Sequence, residues 1–442
     1  MSAREVALMV VRDVFPPGQA TQRSAQEALD YRLQRAELSD RDRAFATELA
    51  YGSIKMRRTL DFYLEPYIGG RDKPVPPTIH EILRLGIYEI VFTRAQEHAT
   101  VNELVGLAKK HGHRGTAGLV NAVLRGFLRD KPEPPQAESF ESRDEYLGVR
   151  YSFPTWMVKS WRSQFGDDAI ETILSGLNEP PRGAVCVNTG RTTVESVRAY
   201  FESAGVEASS SEFAPEALLI GDAAFARTHE SDADGNWWQQ SESAAMPVDI
   251  LNPQPGEAIL DVCSGRGNKA IQTGARLNGE GSLICIERDD RKSALLQTRL
   301  QAAGIHAGVV IGDATEPLVD QHFDRILVDA PCSGLGIVGR HPEARWRKDP
   351  TDGARLARTQ AAMLEAVASR VQPGGTLVYA VCSTDPCETV EIIEPFLQNR
   401  PFARGLVPQR YEALQTAAGD LLVPPGLHGR DGFFIARLER AL

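Results

Sequence analysis

Short apolar runs that alternate with helical segments occupy the second half of this chain and constrain its fold more than any other feature. The runs lie at residues 258–262, 283–286, 309–311, 326–328 and 376–381, and helical patterns such as 292–303 and 356–371 lie between them. A strand that is apolar throughout is buried on both faces, and two parallel strands need a crossover helix. The chain beyond residue 235 is therefore predicted to form a doubly wound, Rossmann-like α/β sheet.

The N-terminal region has a different periodicity. Over residues 1–130 apolar side chains recur at helical spacing, as in Val6, Met9, Val10 and Val14, and no strand-like alternation interrupts them. This predicts an all-helical domain. The proline-rich stretch after residue 131 predicts a linker over 131–149, because proline lacks a donor and clashes with the preceding helical turn. Mixed patterns over 150–235 predict a small α+β unit.

Composition excludes several classes of protein. Of the 442 residues, 42% are hydrophobic and 24% are charged, which is typical of a globular protein and excludes a disordered chain. No apolar run approaches the roughly 18 residues of a membrane span. Six cysteines without a Cys-x-x-Cys pair indicate reduced thiols, no structural zinc and a cytoplasmic location. The net charge of −10 combines +3 over residues 1–130 with −13 over the remainder, so the mildly basic first third suggests RNA binding, although chance asymmetry explains it equally well.

A glycine-containing loop follows the first predicted strand of the sheet. It reads Cys263, Ser264, Gly265, Arg266, Gly267, Asn268 and Lys269. Glu287 ends the second strand at the spacing of a ribose-binding acid, and Asp313 and Asp329 end the third and fourth strands. A plain tight turn and a dinucleotide-binding loop remain alternatives. The acid-rich edge favours a ligand with a ribose and a cationic centre, and S-adenosylmethionine has both.

Two cysteines lie just beyond the ends of predicted strands. Cys332 follows Asp-Ala-Pro, Cys382 follows Tyr-Ala-Val, and a serine comes after each. Either cysteine alone is more often a small buried apolar side chain. On neighbouring strands about 4.8 Å apart, however, both sulfurs reach one substrate ring. Methylation of a pyrimidine at C5 needs a thiolate that adds to C6 and an acid near N3, for which Asp329 is placed.

These motifs resemble those of the Sun-type family of RNA cytosine-C5 methyltransferases. The matching segments are 329–333, 382–386 with Glu388, 340–343 with Trp346, and 431–438. Further segments at 48–52, 83–89, 101–103 and 120–125 are similar to the NusB-like domain of the bacterial Sun (RsmB) branch.

The resemblance implies a role for each matching position. Cys382 would be the nucleophile and Cys332 would help to release the product. The loop 263–269, Glu287, Asp313 and Asp329 would bind S-adenosylmethionine, and no metal is expected. The substrate would be a cytosine of 16S rRNA, free or in an assembling small subunit, and the protein would act as a monomer.

The resemblance also implies how the chain is divided into domains. The expected parts are a NusB-like domain (1–130), a linker (131–149), an RRM-like α+β unit (150–235) and a class I methyltransferase domain (236–442). The chain departs from the family at Arg266, where proline is usual, at Asn268, where glycine is usual, and at Glu287, where aspartate is usual.

Two other functions remain open at this point. A DNA cytosine-C5 methyltransferase would use Cys332 as its nucleophile, but this leaves the second cysteine and the helical domain unexplained. A non-catalytic RNA-binding or ribosome-assembly factor on a degenerate methyltransferase fold would explain the altered loop. RNA contacts are predicted for the basic segment 339–348. The basic cluster at 109–114 is an RNA surface or ordinary solvated surface.

Overall fold

The computed structural model describes residues 1–16, 18, 22–70, 74–230 and 234–442. The chain divides into two compact units. The first contains Met1–Asn178 together with Arg340–Lys348, and the second contains Glu179–Gly339 together with Asp349–Leu442.

The first unit is helical, as predicted for its N-terminal part. Its helices are α1 (Ala3–Val14), α2 (Ala25–Leu33), α3 (Asp40–Lys55), α4 (Arg57–Ile68), α5 (Pro77–Phe92), α6 (Glu97–His111), α7 (Arg114–Asp130), α8 (Arg143–Arg150), α9 (Thr155–Phe165), α10 (Ile170–Gly176) and α16 (Ala344–Arg347). The apolar spacing that predicted α1 corresponds to its buried face, where Val6, Val10 and Val14 are fully enclosed. Local signals set the helix ends, as at α2, where Ser24 and Glu27 form a capping box.

The segment predicted as a linker contains the start of a helix. Residues 131–136 are without regular structure, but α8 begins at Arg143, where the Ser142 side chain accepts a hydrogen bond from the Glu145 amide. Asp144 on α8 receives a hydrogen bond of 2.6 Å from Arg162 on α9. The prolines at 132, 134 and 135 therefore account for the extended stretch, while capping and this ion pair favour the helix after it.

The second unit begins with a small antiparallel sheet. Its strands are β1 (Gly183–Val187), β2 (Ala208–Ser210), β3 (Ala217–Ile220) and β4 (Trp237–Gln239), in the order β2-β3-β1-β4, with helices α11 (Val194–Ser203) and α12 (Ala223–Thr228). This confirms the small α+β unit. Trp237 and Trp238 on β4 are buried, so they pack in the interior and are not available to stack on a base.

A larger mixed sheet forms the rest of the second unit. Its strands are β5 (Ala258–Val262), β6 (Ser282–Glu287), β7 (Gly308–Ile311), β8 (Phe323–Asp329), β9 (Val371–Val381), β10 (Phe402–Arg404), β11 (Leu421–Val423) and β12 (Phe433–Arg440). The order is β10-β12-β9-β8-β5-β6-β7, and β11 pairs with β12. The helices are α13 (Glu242–Leu251), α14 (Asn268–Leu277), α15 (Asp290–Ala302), α17 (Asp352–Ala368) and α18 (Val390–Asn399).

The sheet confirms the predicted doubly wound fold. Strands β5 to β9 pair in parallel, while β12 runs antiparallel to β9. The strand order reverses at β5, which lies between β8 and β6. Ligands of such sheets bind beyond the carboxyl ends of the strands at this switch point. Within the part of the chain that the structure describes, no helix is both long and apolar enough to cross a membrane.

Candidate active site

The turn from β5 into α14 has the backbone shape of a ligand-binding loop. Gly265 and Gly267 have φ of +56° and +88°, and Cys263 joins them in the left-handed region at +62°. A Cβ at Gly267 would lie 2.6 Å from a methyl carbon of Leu296. The second glycine is therefore required both by its backbone conformation and by the close approach of α15.

The two unusual residues of this loop are accommodated by an arginine on α15. Arg299 donates to the carbonyl oxygen of Arg266 at 2.8 Å and also to the side-chain oxygen of Asn268. The Asn268 amide group donates to the carbonyl of Gln239 at 3.0 Å. The Asn268 side chain, which replaces the usual glycine, thus has two hydrogen-bond partners, and Arg299 ties it to the backbone of Arg266.

The two acids that end β6 and β7 differ in their surroundings. Glu287 is buried, and its carboxylate oxygens accept hydrogen bonds of 2.9 Å from the amides of Gly265 and Asp289. It therefore braces the loop directly. Asp313 is half-exposed, and hydrogen bonds from the backbone and side chain of Thr315 hold its pKa below the usual range.

Asp261, near the end of β5, is a buried carboxylate at the acid-rich edge of the sheet. Its exposed fraction is 1%, and neither of its oxygens has a hydrogen-bond partner in the structure. Burial, reinforced by the nearby Asp329 carboxylate, raises the pKa of Asp261 to about 7. An unpartnered buried carboxylate of this kind fits a ligand that carries positive charge, so the residues present are compatible with S-adenosylmethionine.

Lys269 and Asp329 form an ion pair across the strand ends. The Lys269 Nζ atom lies 2.7 Å from an Asp329 oxygen, and both side chains are mostly shielded from solvent. Burial lowers the pKa of Lys269, but the Asp329 carboxylate outweighs that effect and the net pKa is raised. Both residues were predicted to bind the cofactor, and the structure shows that their charges also neutralise each other.

The structure brings the two predicted cysteines together. Strands β8 and β9 are neighbours with Asp329 opposite Ala380, and the Sγ atoms of Cys332 and Cys382 lie 3.1 Å apart just beyond them. Hydrogen bonding to Cys382 and burial raise the pKa of Cys332 well above the usual range of a thiol. Cys382, in turn, lies close enough to Lys269 to contribute to the raised pKa of that lysine.

A buried network of polar side chains lies next to the two cysteine loops, and the sequence analysis did not predict it. Glu388 is fully buried and accepts hydrogen bonds from Ser333 and from Gln360 on α17. The Tyr379 hydroxyl donates to the Glu388 carbonyl oxygen. The motif that contains Glu388 was the only sequence feature that could have indicated this network, because Gln360 lies in an ordinary helical pattern.

One predicted RNA-contact segment is not a free loop. Arg345, in the segment 340–348 of the first unit, is fully buried and donates to the Leu177 carbonyl and the Asn178 side chain at 2.9 and 2.7 Å. Trp346 donates to the Ile54 carbonyl. The prediction that this segment grips phosphates is therefore wrong for Arg345, since this side chain is buried and its donors are used within the first unit.

The second basic cluster is partly solvated and partly paired. Lys110 forms an ion pair of 2.7 Å with Glu5, whereas Lys109 and Arg114 are exposed. Among the described residues, no group of three or more histidine, cysteine, aspartate or glutamate side chains is arranged to hold a metal ion.

Comparison with known proteins agrees with this geometry. Residues 248–439 match the family model of the 16S rRNA methyltransferase RsmB/F, residues 1–129 match the NusB family, and residues 153–224 match the ferredoxin-like domain of RsmF/B-like methyltransferases. The protein solved as PH0851 is 22% identical, with a TM-score of 0.82 over 100% of this chain and 99% of that one, which shows a shared fold.

Two curated relatives match over nearly their whole length. The "Probable ribosomal RNA small subunit methyltransferase B" of Synechocystis sp. is 34% identical over 100% of both chains. Ribosomal RNA small subunit methyltransferase B of Serratia proteamaculans is 31% identical over 98% of both chains. The resemblance seen in the sequence is confirmed, and the chain belongs to the RsmB family of ribosomal RNA small subunit methyltransferases.

Proposed function

We propose that the protein transfers a methyl group from S-adenosylmethionine to C5 of a cytosine in 16S rRNA through a covalent bond between Cys382 and C6. The observation that carries this proposal is the pair of Cys332 and Cys382 sulfurs, 3.1 Å apart beside the Lys269–Asp329 ion pair. Family membership supports the broader activity, rRNA methylation. The two thiols support the chemistry at C5.

The cofactor would be held by the loop 263–269 and by the acids at the strand ends. The backbone of the Gly265–Gly267 turn would allow close approach of the cofactor, and Glu287 and Asp313 would accept hydrogen bonds from ribose hydroxyls. Asp261 and Asp329 would supply negative charge for the cationic centre. When bound, S-adenosylmethionine supplies an electrophilic methyl group.

The protein's own residues prepare the base for attack. Cys382 adds to C6 of the cytosine as a thiolate, close to the Lys269 ammonium. Negative charge then develops at N3, and a proton from the Lys269 ammonium, relayed through its hydrogen-bond partner Asp329, passes to N3 and neutralises it. The resulting enamine makes C5 nucleophilic enough to accept the methyl group.

Release of the product requires the reverse of the first step. The C5 proton passes to solvent water, the C5–C6 double bond re-forms, and the Cys382 sulfur departs as a thiolate. The N3 proton returns to the Lys269–Asp329 pair. Cys332 remains protonated because its pKa is raised by its hydrogen bond to Cys382 and by burial. Its S–H group stabilises the departing thiolate by donating a hydrogen bond, which gives the second cysteine its task.

The remaining parts of the chain would present the RNA. In this proposal, residues 1–130 bind rRNA, 131–149 connect them to the RRM-like unit at 150–235, and 236–442 carry out catalysis on a flipped or single-stranded cytosine. Such a substrate implies that the protein works in the cytoplasm. A single chain supplies every proposed catalytic group, so a monomer suffices.

Cysteine substitutions test the proposal directly. With 16S rRNA and labelled cofactor, Cys382→Ala should abolish methyl transfer, whereas Cys332→Ala should accumulate a denaturation-resistant protein–RNA adduct. Cys387→Ala is the matched control, because Cys387 lies in the same loop as Cys382 and has no proposed role. Full activity of Cys382→Ala would refute the proposed nucleophile.

The same measurements separate the alternatives. Methyl transfer to duplex DNA, with loss of activity only in Cys332→Ala, would establish the DNA methyltransferase. Failure to bind S-adenosylmethionine in calorimetry at high concentration would establish the non-catalytic factor.

A further inference from the structure

We infer that Glu388 is a positioning residue that holds the Cys332 and Cys382 thiols in register by joining the two loops that carry them. The inference rests on the proposed function, because the distance between the thiols matters only if both act on one base. It adds a residue that contacts neither the substrate nor the cofactor in the proposed mechanism.

Strand pairing alone does not fix the two sulfurs. The β8–β9 ladder ends with Asp329 opposite Ala380, and the last bond beyond it runs from the Ala330 amide to the Ala380 carbonyl at 3.0 Å. Past this point the two chains leave the sheet. The Gly336 amide also donates to the Cys382 carbonyl oxygen at 3.0 Å, but this bond fixes the backbone of Cys382 and not that of Cys332.

The serine after each cysteine supplies the missing connection. The Ser333 amide donates to a Glu388 oxygen at 2.8 Å, and the Ser333 hydroxyl donates to the other oxygen. Because that hydroxyl proton is used, the Ser383 hydroxyl donates to Ser333 Oγ at 3.0 Å. A continuous chain of hydrogen bonds therefore runs from Ser383, beside Cys382, to Ser333, beside Cys332, and from Ser333 to Glu388, which follows Cys382 in the chain.

Glu388 is itself fixed by two further side chains. Gln360 donates to Glu388 at 3.0 Å and to the carbonyl of Pro331, the residue before Cys332, at 2.9 Å. The Tyr379 hydroxyl donates to the Glu388 carbonyl oxygen at 2.7 Å. Glu388, Gln360 and Tyr379 all have an exposed fraction of 0%. Such a buried network rigidifies what it joins when every member has partners.

Burial of a carboxylate is costly, and an apolar side chain of similar size would fill the space at lower cost. What the carboxylate adds is direction, because its two oxygens fix where the Ser333 amide and hydroxyl lie, and the serine fixes its neighbour Cys332. Positional errors near 1 Å at reacting groups cost up to about a hundredfold in rate. We therefore assign Glu388 to the alignment of the thiols.

The first test measures thiol geometry without methylation. Diamide, a diazene, accepts two electrons and two protons from a thiol pair and leaves a disulfide and a hydrazine. The rate of Cys332–Cys382 disulfide formation, followed by peptide mapping, should fall about tenfold in Glu388→Gln and in Ser383→Ala. In Glu388→Gln an amide N–H group replaces the carboxylate oxygen that accepts from the Ser333 hydroxyl, so this charge-assisted hydrogen bond between the two loops is lost.

The second test measures catalysis. Both variants should lower kcat about tenfold while leaving KM for RNA and for S-adenosylmethionine unchanged, since neither side chain touches these ligands in the proposed mechanism. The combined variant should be no slower than the slower single variant, because both act through one linkage. Glu391→Gln, on the exposed side of α18, is the control and should match the unmodified protein.

Opposite results would overturn the inference. An unchanged rate of disulfide formation and an unchanged kcat in Ser383→Ala would refute the positioning role, even if Glu388→Gln failed to fold. A combined variant in which the two reductions in kcat multiply would refute it as well. A protein that forms the disulfide quickly, with the expected dependence on Glu388, but never methylates RNA would refute the proposed function and leave the positioning role intact.

Discussion

Replacement of Asp261 by asparagine should make the second unit more stable at high pH. Burial and the nearby Asp329 raise the pKa of Asp261 from 3.8 to about 7, so the folded state keeps this proton longer than the unfolded state does. Stability therefore declines as the pH rises from about 4 through about 7. The difference corresponds to about 4 kcal/mol at high pH, of which about 2.5 kcal/mol is lost between pH 5 and pH 8. Asparagine does not titrate, so the variant should lack this decline.

The assay must report on the second unit alone. Urea titrations with pulsed hydrogen exchange, read on the peptide that contains β5 (Ala258–Val262), follow its unfolding separately from the helical unit. Relative to the unmodified protein, Asp261→Asn should gain stability from pH 5 to pH 8, while the exposed Asp290→Asn should show a constant difference. Parallel curves for Asp261→Asn and the unmodified protein would refute the reasoning, because Asp261 would then be ionised throughout.

Three further substitutions test other parts of the structure. Lys269→Met should lower kcat for methyl transfer about a hundredfold by removing the partner of Asp329, and an unchanged kcat would exclude the ion pair from catalysis. Arg345→Met should destabilise the first unit by about 3 kcal/mol, measured by thermal unfolding, because buried acceptors lose their donors. An unchanged melting temperature would contradict this. Gly267→Ala should weaken S-adenosylmethionine binding in calorimetry and cost at least about 1 kcal/mol of stability, since a Cβ meets Leu296 at positive φ. Normal affinity would show that the turn tolerates a side chain.

The sequence predicted the sheet well because its signal is local. Each apolar run from 258 to 381 became a parallel strand, and the helical pattern at 292–303 matches α15 (Asp290–Ala302). The pattern at 356–371 extends too far, because α17 ends at Ala368 and Val371 already pairs in β9. Apolar periodicity identifies an element but does not mark the residue at which tertiary pairing ends it.

The basic segment 340–348 shows where composition misleads. Alternating cations and an aromatic residue are typical of a surface that binds nucleic acid, yet Arg345 is buried over the Phe153 ring at 3.8 Å. Burial lowers the pKa of Arg345 to about 9, and its charge is stabilised by carbonyl and amide oxygens. A sequence window records the charges but not the distant residues that surround them.

Which residues follow the strand ends can be predicted from the sequence, since alternation and turn residues are properties of adjacent positions. These patterns predict Cys332, Cys382 and Asp329 at one edge of the sheet. Tertiary structure alone decided which of these groups meet: the 3.1 Å separation of the sulfurs, the pairing of Lys269 with Asp329 and the orphaned Asp261 carboxylate. Distances of this kind depend on strand register and on buried side chains such as Gln360, which are far apart in the chain and leave no periodic pattern.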